Sequence, residues 1–90
     1  MASFVPNHRK KIERLSKKEQ ELQRLIDRGA NRERLLEVAM EVRDGRIRVL
    51  RARQNKTHPE NIAAIRKDEE LIEELQALSA ESILAEYLPS

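Results

Sequence analysis

The chain has 90 residues, of which 38% are charged and 39% are hydrophobic. This length leaves room for one hydrophobic core, so it predicts a single domain. The sequence contains no cysteine, which excludes a disulfide scaffold and a thiolate metal site and favours a cytoplasmic location. No apolar run approaches the roughly 18 residues of a membrane-spanning helix. Met1 to Lys11 also lacks the apolar segment of a signal peptide.

The composition predicts an all-α protein. Leu, Glu, Arg and Ala dominate, whereas the chain has only two Gly, three Pro, one Phe and one Tyr. This mixture is typical of long helices and coiled coils. We expect a short tail at 1–6 and a single helical domain at 7–90. A thin bundle of this size buries only about 60% of its unfolded surface, so we expect self-association, with a dimer favoured.

The first helix is predicted over about 8–28. Its apolar face is formed by Ile12, Leu15, Leu22 and Ile26. These residues recur at helical spacing, and Gly29 follows where a left-handed residue commonly ends a helix. Glu19 fills the gap in this apolar face. An acid at such a position is expected to pair with an arginine across the bundle or to fix the register.

The second helix is predicted as one continuous element over about 32–55. Its seam alternates in steps of three and four residues, through Leu35, Val38, Val42, Gly45, Val49 and Ala52. Asp44-Gly45 is also a strong β-hairpin signal, and 46–49 alternates as a strand does. We prefer the helix, because an isolated two-stranded hairpin is only marginally stable. On this interpretation the bare backbone of Gly45 lets a neighbouring helix approach closely.

The third helix is predicted over about 58–87. Thr57 is expected to be its N-cap, and Glu60 completes a capping box by reaching back to it. The apolar arc that follows comprises Ala64, Ile65, Leu71, Ile72, Leu75, Leu78, Ser82, Ile83 and Ala85. An arc this wide suits a helix that packs against two others. The predicted fold is an antiparallel bundle of three long amphipathic helices, completed by oligomerisation.

Charge separates along the chain. Residues 1–56 hold sixteen Lys and Arg against eight Asp and Glu, whereas residues 57–90 hold two against eight. We call 43–56 the Arg-rich segment; its cations are Arg43, Arg46, Arg48, Arg51, Arg53 and Lys56. Such a cluster can neutralise the phosphates of a nucleic acid. The favoured interpretation is that it pairs with the acidic third helix, in an alignment that places Arg46 near Asp68.

No motif indicates catalysis. The chain has two histidines, His8 and His58, and neither has a second ligand at helical spacing. It also contains no Gly-rich phosphate loop and no nucleophile motif. We therefore expect neither an enzyme nor a cofactor or metal site.

Surplus apolar residues are the best indication of function. Those that lie outside or beside the main helix seams are Leu36, Met40, Ile47, Leu84, Tyr87 and Leu88. Off-seam apolar residues cover the end of a bundle or contact another chain. The sequence therefore predicts a small non-enzymatic protein that self-associates and mediates protein–protein interaction as an adaptor, regulator or inhibitor. Electrostatic nucleic-acid binding through the Arg-rich segment is the alternative.

Overall fold

The computed structural model describes residues 7–89, and all regular structure in this range is helical. The helices are α1 (Asn7–Asp27), α2 (Arg32–Lys56), α3 (Ile62–Ala77) and α4 (Ala80–Tyr87). The all-α prediction is therefore confirmed, but the expected three long helices are four, because the predicted third helix divides into α3 and α4. The tail predicted at 1–6 lies outside the described residues. No helix of the described part combines the length and apolarity needed to cross a membrane.

The central helix is α2, on which α1, α3 and α4 all pack. The core cluster consists of Leu22 from α1, Val38, Ala39 and Val42 from α2, and Ile83 and Leu84 from α4. Farther along the molecule, Ile72 of α3 is also fully buried. The seams predicted for the first two helices supply three of the six residues of the core cluster, and α4 supplies two more.

The end of α1 agrees with the sequence prediction. Gly29 has a positive φ of 72°, a conformation that costs glycine little. The N–H of Gly29 donates to the carbonyl of Ile26, and the N–H of Ala30 donates to that of Leu25. These two bonds form a Schellman motif, which satisfies carbonyls at the end of α1 and reverses the chain into α2.

The continuous-helix prediction for 32–55 is confirmed, because α2 runs unbroken through Asp44 and Gly45. A methyl group added at Gly45 would lie 3.1 Å from Cδ1 of Leu15. That distance is shorter than ordinary van der Waals contact. The missing side chain thus allows α1 and α2 to approach closely at the middle of both helices, as expected from its place on the seam.

The predicted start of the third helix is wrong. Thr57 closes α2: its N–H donates to the carbonyls of Arg53 and Gln54, and its hydroxyl also donates to the Arg53 carbonyl. The N-cap of α3 is Asn61, whose side chain accepts from the N–H of Ala64. Residues 58–61 form a turn between the two helices. Both Thr and Asn are good capping residues. Thr57 caps the C-terminus of α2 because it lies next to the unpaired carbonyls there, and Asn61 caps the N-terminus of α3.

The predicted third helix also breaks at Leu78 and Ser79. Leu78 has an extended backbone, and the Ser79 side chain caps α4 by accepting from the N–H of Ser82. Arg43 of α2 donates to the carbonyls of Gln76 and Leu78, so it compensates for helical bonds lost at the break. Because the chain turns here, α4 packs against the α1–α2 pair, where a straight continuation of α3 would not place it.

Candidate functional site

The Arg-rich segment is divided between two faces of α2. Side chains two positions apart point about 200° apart around a helix, so Arg46 and Arg48 lie on opposite sides, as do Arg51 and Arg53. We call the side that bears Arg43, Arg46 and Arg53 the inner face, since each of these arginines bonds to α3, α4 or their connection. The opposite side, which bears Arg48 and Arg51, is the outer face.

On the inner face, Arg53 holds α3. Its Nε donates to Oδ2 of Asp68 at 3.1 Å, and its Nη2 donates to Oδ1 at 2.6 Å. Asp68 is only 4% exposed, and this bidentate bond raises the pKa of Arg53. The neighbouring Gln54 donates to the Ile65 carbonyl and to a carboxylate oxygen of Glu69. The buried acid of α3 is therefore neutralised within the chain.

The expected pairing of Arg46 with Asp68 is wrong. The expectation that arginines of the Arg-rich segment pair with acids between Glu60 and Glu74 is confirmed for Arg53, which pairs with Asp68, whereas Arg46 pairs with Glu86 of α4. The register differs because the turn at 58–61 lengthens the α2–α3 connection. Asp68 consequently pairs with Arg53, which lies two helical turns closer to the C-terminus of α2 than Arg46 does. The prediction places the chain reversal near Lys56, whereas the turn at 58–61 moves it toward the C-terminus.

Arg46 instead connects α1, α2 and α4. Its Nη2 lies 2.9 Å from Oε1 of Glu86 and 3.6 Å from Oε2 of Glu19, and it donates to the Tyr87 hydroxyl at 2.9 Å. That hydroxyl in turn donates to Oε2 of Glu19 at 2.9 Å. The prediction that Glu19 pairs with an arginine across the bundle is thereby confirmed. We call Glu19, Arg46, Glu86 and Tyr87 the α4 clasp.

The α4 clasp shifts the acidity of two of its members. Burial is the main reason why the pKa of Tyr87 lies above its ordinary value of 10.0; its bond to Glu19 raises the pKa further, while Arg46 opposes the rise. For Arg46, burial is the largest single influence and lowers the pKa, but the bonds to Glu86 and Tyr87 outweigh it and the net direction is upward. Both shifts keep the folded protein in the state with a neutral phenol and a charged guanidinium.

On the outer face, cations of α1 and α2 line an open groove. Its α2 cations are Arg48, Arg51 and Lys56, and its α1 cations include Lys11, Arg14 and Lys17. The main part has a volume of about 840 Å³ and includes Leu15 and Gly45, and a smaller part of about 390 Å³ extends toward the end of α2. These six cations with their lining define what we call the basic groove. The α1 cations of the groove were not predicted; the signal for them in the sequence is the spacing of three residues between Lys11, Arg14 and Lys17.

The carboxylates of the basic groove are bound to other cations. Nζ of Lys18 lies 3.0 Å from Oε1 of Glu21 and 3.3 Å from Oε1 of Glu41. The bond to Glu21 is the main cause of the raised pKa of Lys18, and the same bond lowers the pKa of Glu21. Asp44 lies 3.1 Å from Nη2 of Arg43. In the described part of the chain, the six cations of the groove form no ion pair with these acids.

The residues predicted to contact a partner occupy different environments. Leu84 is 2% exposed within the core cluster, and Tyr87 is half-buried in the α4 clasp. Leu36, Met40 and Ile47 are half-buried on α2, and Leu36 packs against the core cluster. Leu88 is 41% exposed. Leu36, Leu84 and Tyr87 are thus engaged by the fold of their own chain, and the contact of all six residues with a partner stays a prediction.

The two histidines lie apart from these surfaces. His58 belongs to the α2–α3 turn, where its Nδ1 accepts from the N–H of Glu60 at 3.2 Å. His8 is a half-buried residue of the first turn of α1. Within residues 7–89, no three side chains of His, Asp or Glu are grouped so that they could hold a metal ion.

Comparison of the chain with protein-family models, with curated proteins and with solved structures gave no match in any of the three cases. What this protein does can therefore be inferred only from its own residues and from the two faces of α2.

Proposed function

We propose that the protein is a small non-enzymatic helical protein that self-associates and mediates protein–protein interaction in the cytoplasm, as an adaptor, regulator or inhibitor. The observation that carries this proposal is the shape of the bundle. The radius of gyration is 15.0 Å, whereas a compact domain of this length has about 12 Å. A chain that spreads its helices in this way leaves more surface for a partner than a compact domain does.

The one-sided packing of α3 accounts for this shape. α3 packs on the C-terminal half of α2, while α1 and α4 share the core cluster around the N-terminal half. Ile62, at the start of α3, is 59% exposed. A second copy of the chain could cover such a helix at no cost to the existing core, and a small bundle gains stability when it buries more apolar surface.

Half-buried apolar residues of α2 provide a candidate contact. Leu36, Met40 and Ile47 follow one side of the helix at spacings of four and seven residues, which places them on a single stripe. Two residues that bond to the α3 region lie near this stripe on the helical surface: Arg43 donates to the Leu78 carbonyl, and Gln54 donates to the Ile65 carbonyl. A helix of a partner that packs on this stripe would use the helix-in-groove mode of recognition.

Light scattering on the purified protein at tens of micromolar tests the proposal. We expect a mass of twice the 10.5 kDa of the chain. Met40→Glu should return the mass to that of one chain, because a charge in the contact opposes association. Ser16→Glu, at an exposed position of α1, adds the same charge outside both α3 and the apolar stripe of α2, and this control should leave the dimer intact.

Because Met40 is half-buried, circular dichroism has to show that the Met40→Glu variant is folded. Leu88→Ser, which changes an exposed side chain, provides a second and milder variant of the predicted contact set. A wild-type mass of one chain across this concentration range would contradict self-association.

A further inference from the structure

The basic groove carries charge that the fold does not use. Among residues 7–89, no carboxylate lies within the 4.0 Å limit of an ion pair from its six cations. The groove is open to solvent along the α1–α2 pair, and Arg48 and Arg51 are exposed. Six like charges on one surface repel one another, so an anionic ligand would relieve an unfavourable interaction that folding leaves in place.

The acidic residues of α3 do not neutralise this surface. α3 is held on the inner face of α2 through Arg53 and Gln54, so its exposed acids belong to the other side of the central helix. Glu70, Glu73 and Glu74 are exposed there. The charge separation along the sequence therefore becomes a separation in space, and the basic groove presents a positive potential to solvent.

The dimensions and composition of the groove fit a phosphate backbone. Arg48 to Lys56 spans about 12 Å of helix, a length over which a nucleic-acid duplex carries about seven negative charges. If a second copy of the chain occupied the groove, the acidic cluster on its α3 would supply only three exposed carboxylates, which is fewer than the charges of the duplex; they are Glu70, Glu73 and Glu74. Among residues 7–89, none of those that line the groove is aromatic, so this part of the chain provides no stacking surface of the kind with which proteins hold single-stranded bases.

We propose that the basic groove binds the phosphate backbone of double-stranded nucleic acid without reading its sequence. Lys11, Arg14 and Lys17 of α1 contact phosphates on one side of the groove, and Arg48, Arg51 and Lys56 of α2 contact them on the other. The inner-face arginines take no part, because Asp68, Glu86 and the end of α3 already occupy them. This function goes beyond self-association, which uses the apolar stripe of α2.

The test is fluorescence anisotropy with a labelled DNA duplex of about 20 base pairs, titrated with the full chain. We expect saturable binding at 50 mM NaCl and an affinity that falls about 100-fold between 50 and 150 mM, since the neutralisation of about five phosphates gives that salt dependence. Duplexes of unrelated sequence should bind equally well. Absence of binding at 50 mM NaCl would overturn the proposal.

The double variant Arg48→Glu/Arg51→Glu locates the site. Its matched control is Arg66→Glu/Lys67→Glu, which makes the same change in net charge at two exposed positions of α3. We expect the groove variant to bind duplex at least about tenfold more weakly at 50 mM NaCl, with a shallower salt dependence. The control should remain within about threefold of wild type. An equal loss in both variants would show that net charge, and not the groove, governs binding, and would overturn the proposal.

Two further arms distinguish the other occupants of a basic surface. One measures binding to vesicles that contain 30% phosphatidylserine, and the other measures the mass of the groove variant by light scattering. If the groove variant retains duplex binding but loses vesicle binding or self-association, the proposal is overturned in favour of a membrane or of a second copy. Circular dichroism verifies that each variant is folded, and Arg48→Gln/Arg51→Gln replaces the charge reversal if it is not. Duplex binding and self-association have separate readouts, so either can fail without the other.

Discussion

The inner and outer faces of α2 contain the same kinds of residue and use them differently. Both Arg53 and Arg51 are exposed, but Arg53 donates to a buried aspartate on the inner face, whereas Arg51 has no carboxylate of residues 7–89 within ion-pair distance. The difference arises because α3 and α4 both pack on one side of the central helix. An arginine-rich helix is therefore not one functional unit; each arginine acquires its role from the face on which it lies.

The largest effect on stability is expected in the core cluster, where α4 packs against α1 and α2. Leu84→Ala should lower the free energy of unfolding by about 2–5 kcal/mol, because it leaves a cavity in the core cluster. Leu88→Ala, four residues later and 41% exposed, should cost less than about 1 kcal/mol. Urea denaturation of both variants measures the difference. Equal small losses would show that α4 is not anchored in the core.

A smaller difference is expected between neighbouring arginines of α2. Arg53→Ala should cost about 1–3 kcal/mol, because it leaves the Asp68 carboxylate buried without its charged partner. Arg51→Ala should change the free energy of unfolding by no more than about 0.5 kcal/mol. Thermal or urea denaturation of the two variants, which differ from wild type by the same chemical change, tests the distinction between the faces directly. A loss at Arg51 equal to that at Arg53 would contradict it.

The smallest effect is a pH dependence that arises in the α4 clasp. The folded pKa of Tyr87 is raised above 10.0, so the clasp contributes stability that is fully present below pH 10 and is lost as the pH rises through the folded pKa. Tyr87 is the only tyrosine, and the chain has no tryptophan, so ultraviolet absorbance reports its ionisation without interference. We expect a midpoint above 10.0 in the folded protein.

Two variants assign this titration. Glu19→Gln should move the midpoint of Tyr87 downward, because Glu19 raises the pKa of the phenol, whereas Arg46→Gln should move it upward, because Arg46 lowers it. The opposite signs separate the specific contacts of the clasp from burial alone. A midpoint that both variants leave unchanged would show that neither side chain contacts the phenol in solution.

The features that could be predicted from sequence are those set by local periodicity and local backbone chemistry. The seams of α1 and α2 repeat at helical spacing, so their core residues follow directly. Gly29 adopts the left-handed conformation expected after a helix, and Gly45 lies where α1 approaches. The preference for helix over hairpin at Asp44-Gly45 could also be predicted from the sequence, because the seam continues past both residues. Each of these outcomes depends on neighbours within a few turns of the chain.

The two errors in the bounds of the third helix concern positions where local signals are ambiguous. Thr57 and Asn61 are both capping residues, and Thr57 closes α2 because its N–H and hydroxyl find the carbonyls at the end of that helix. At Leu78 and Ser79 the apolar arc continues without interruption, so periodicity alone predicts one long helix. Ser79 was the available signal for a new helix start, but a serine inside a helical pattern does not by itself establish a break.

The sequence by itself determined the helical class, the apolar seams of α1 and α2, and the separation of basic and acidic residues along the chain, because these follow from composition and short-range spacing. The tertiary structure alone decided which arginine meets which acid, because the length of the turn at 58–61 sets the register between α2 and α3. It also decided where α4 lies, because long-range burial of Ile83 and Leu84 accompanies the break at Ser79. The division of the Arg-rich segment into a paired inner face and an open outer face follows from these two long-range choices.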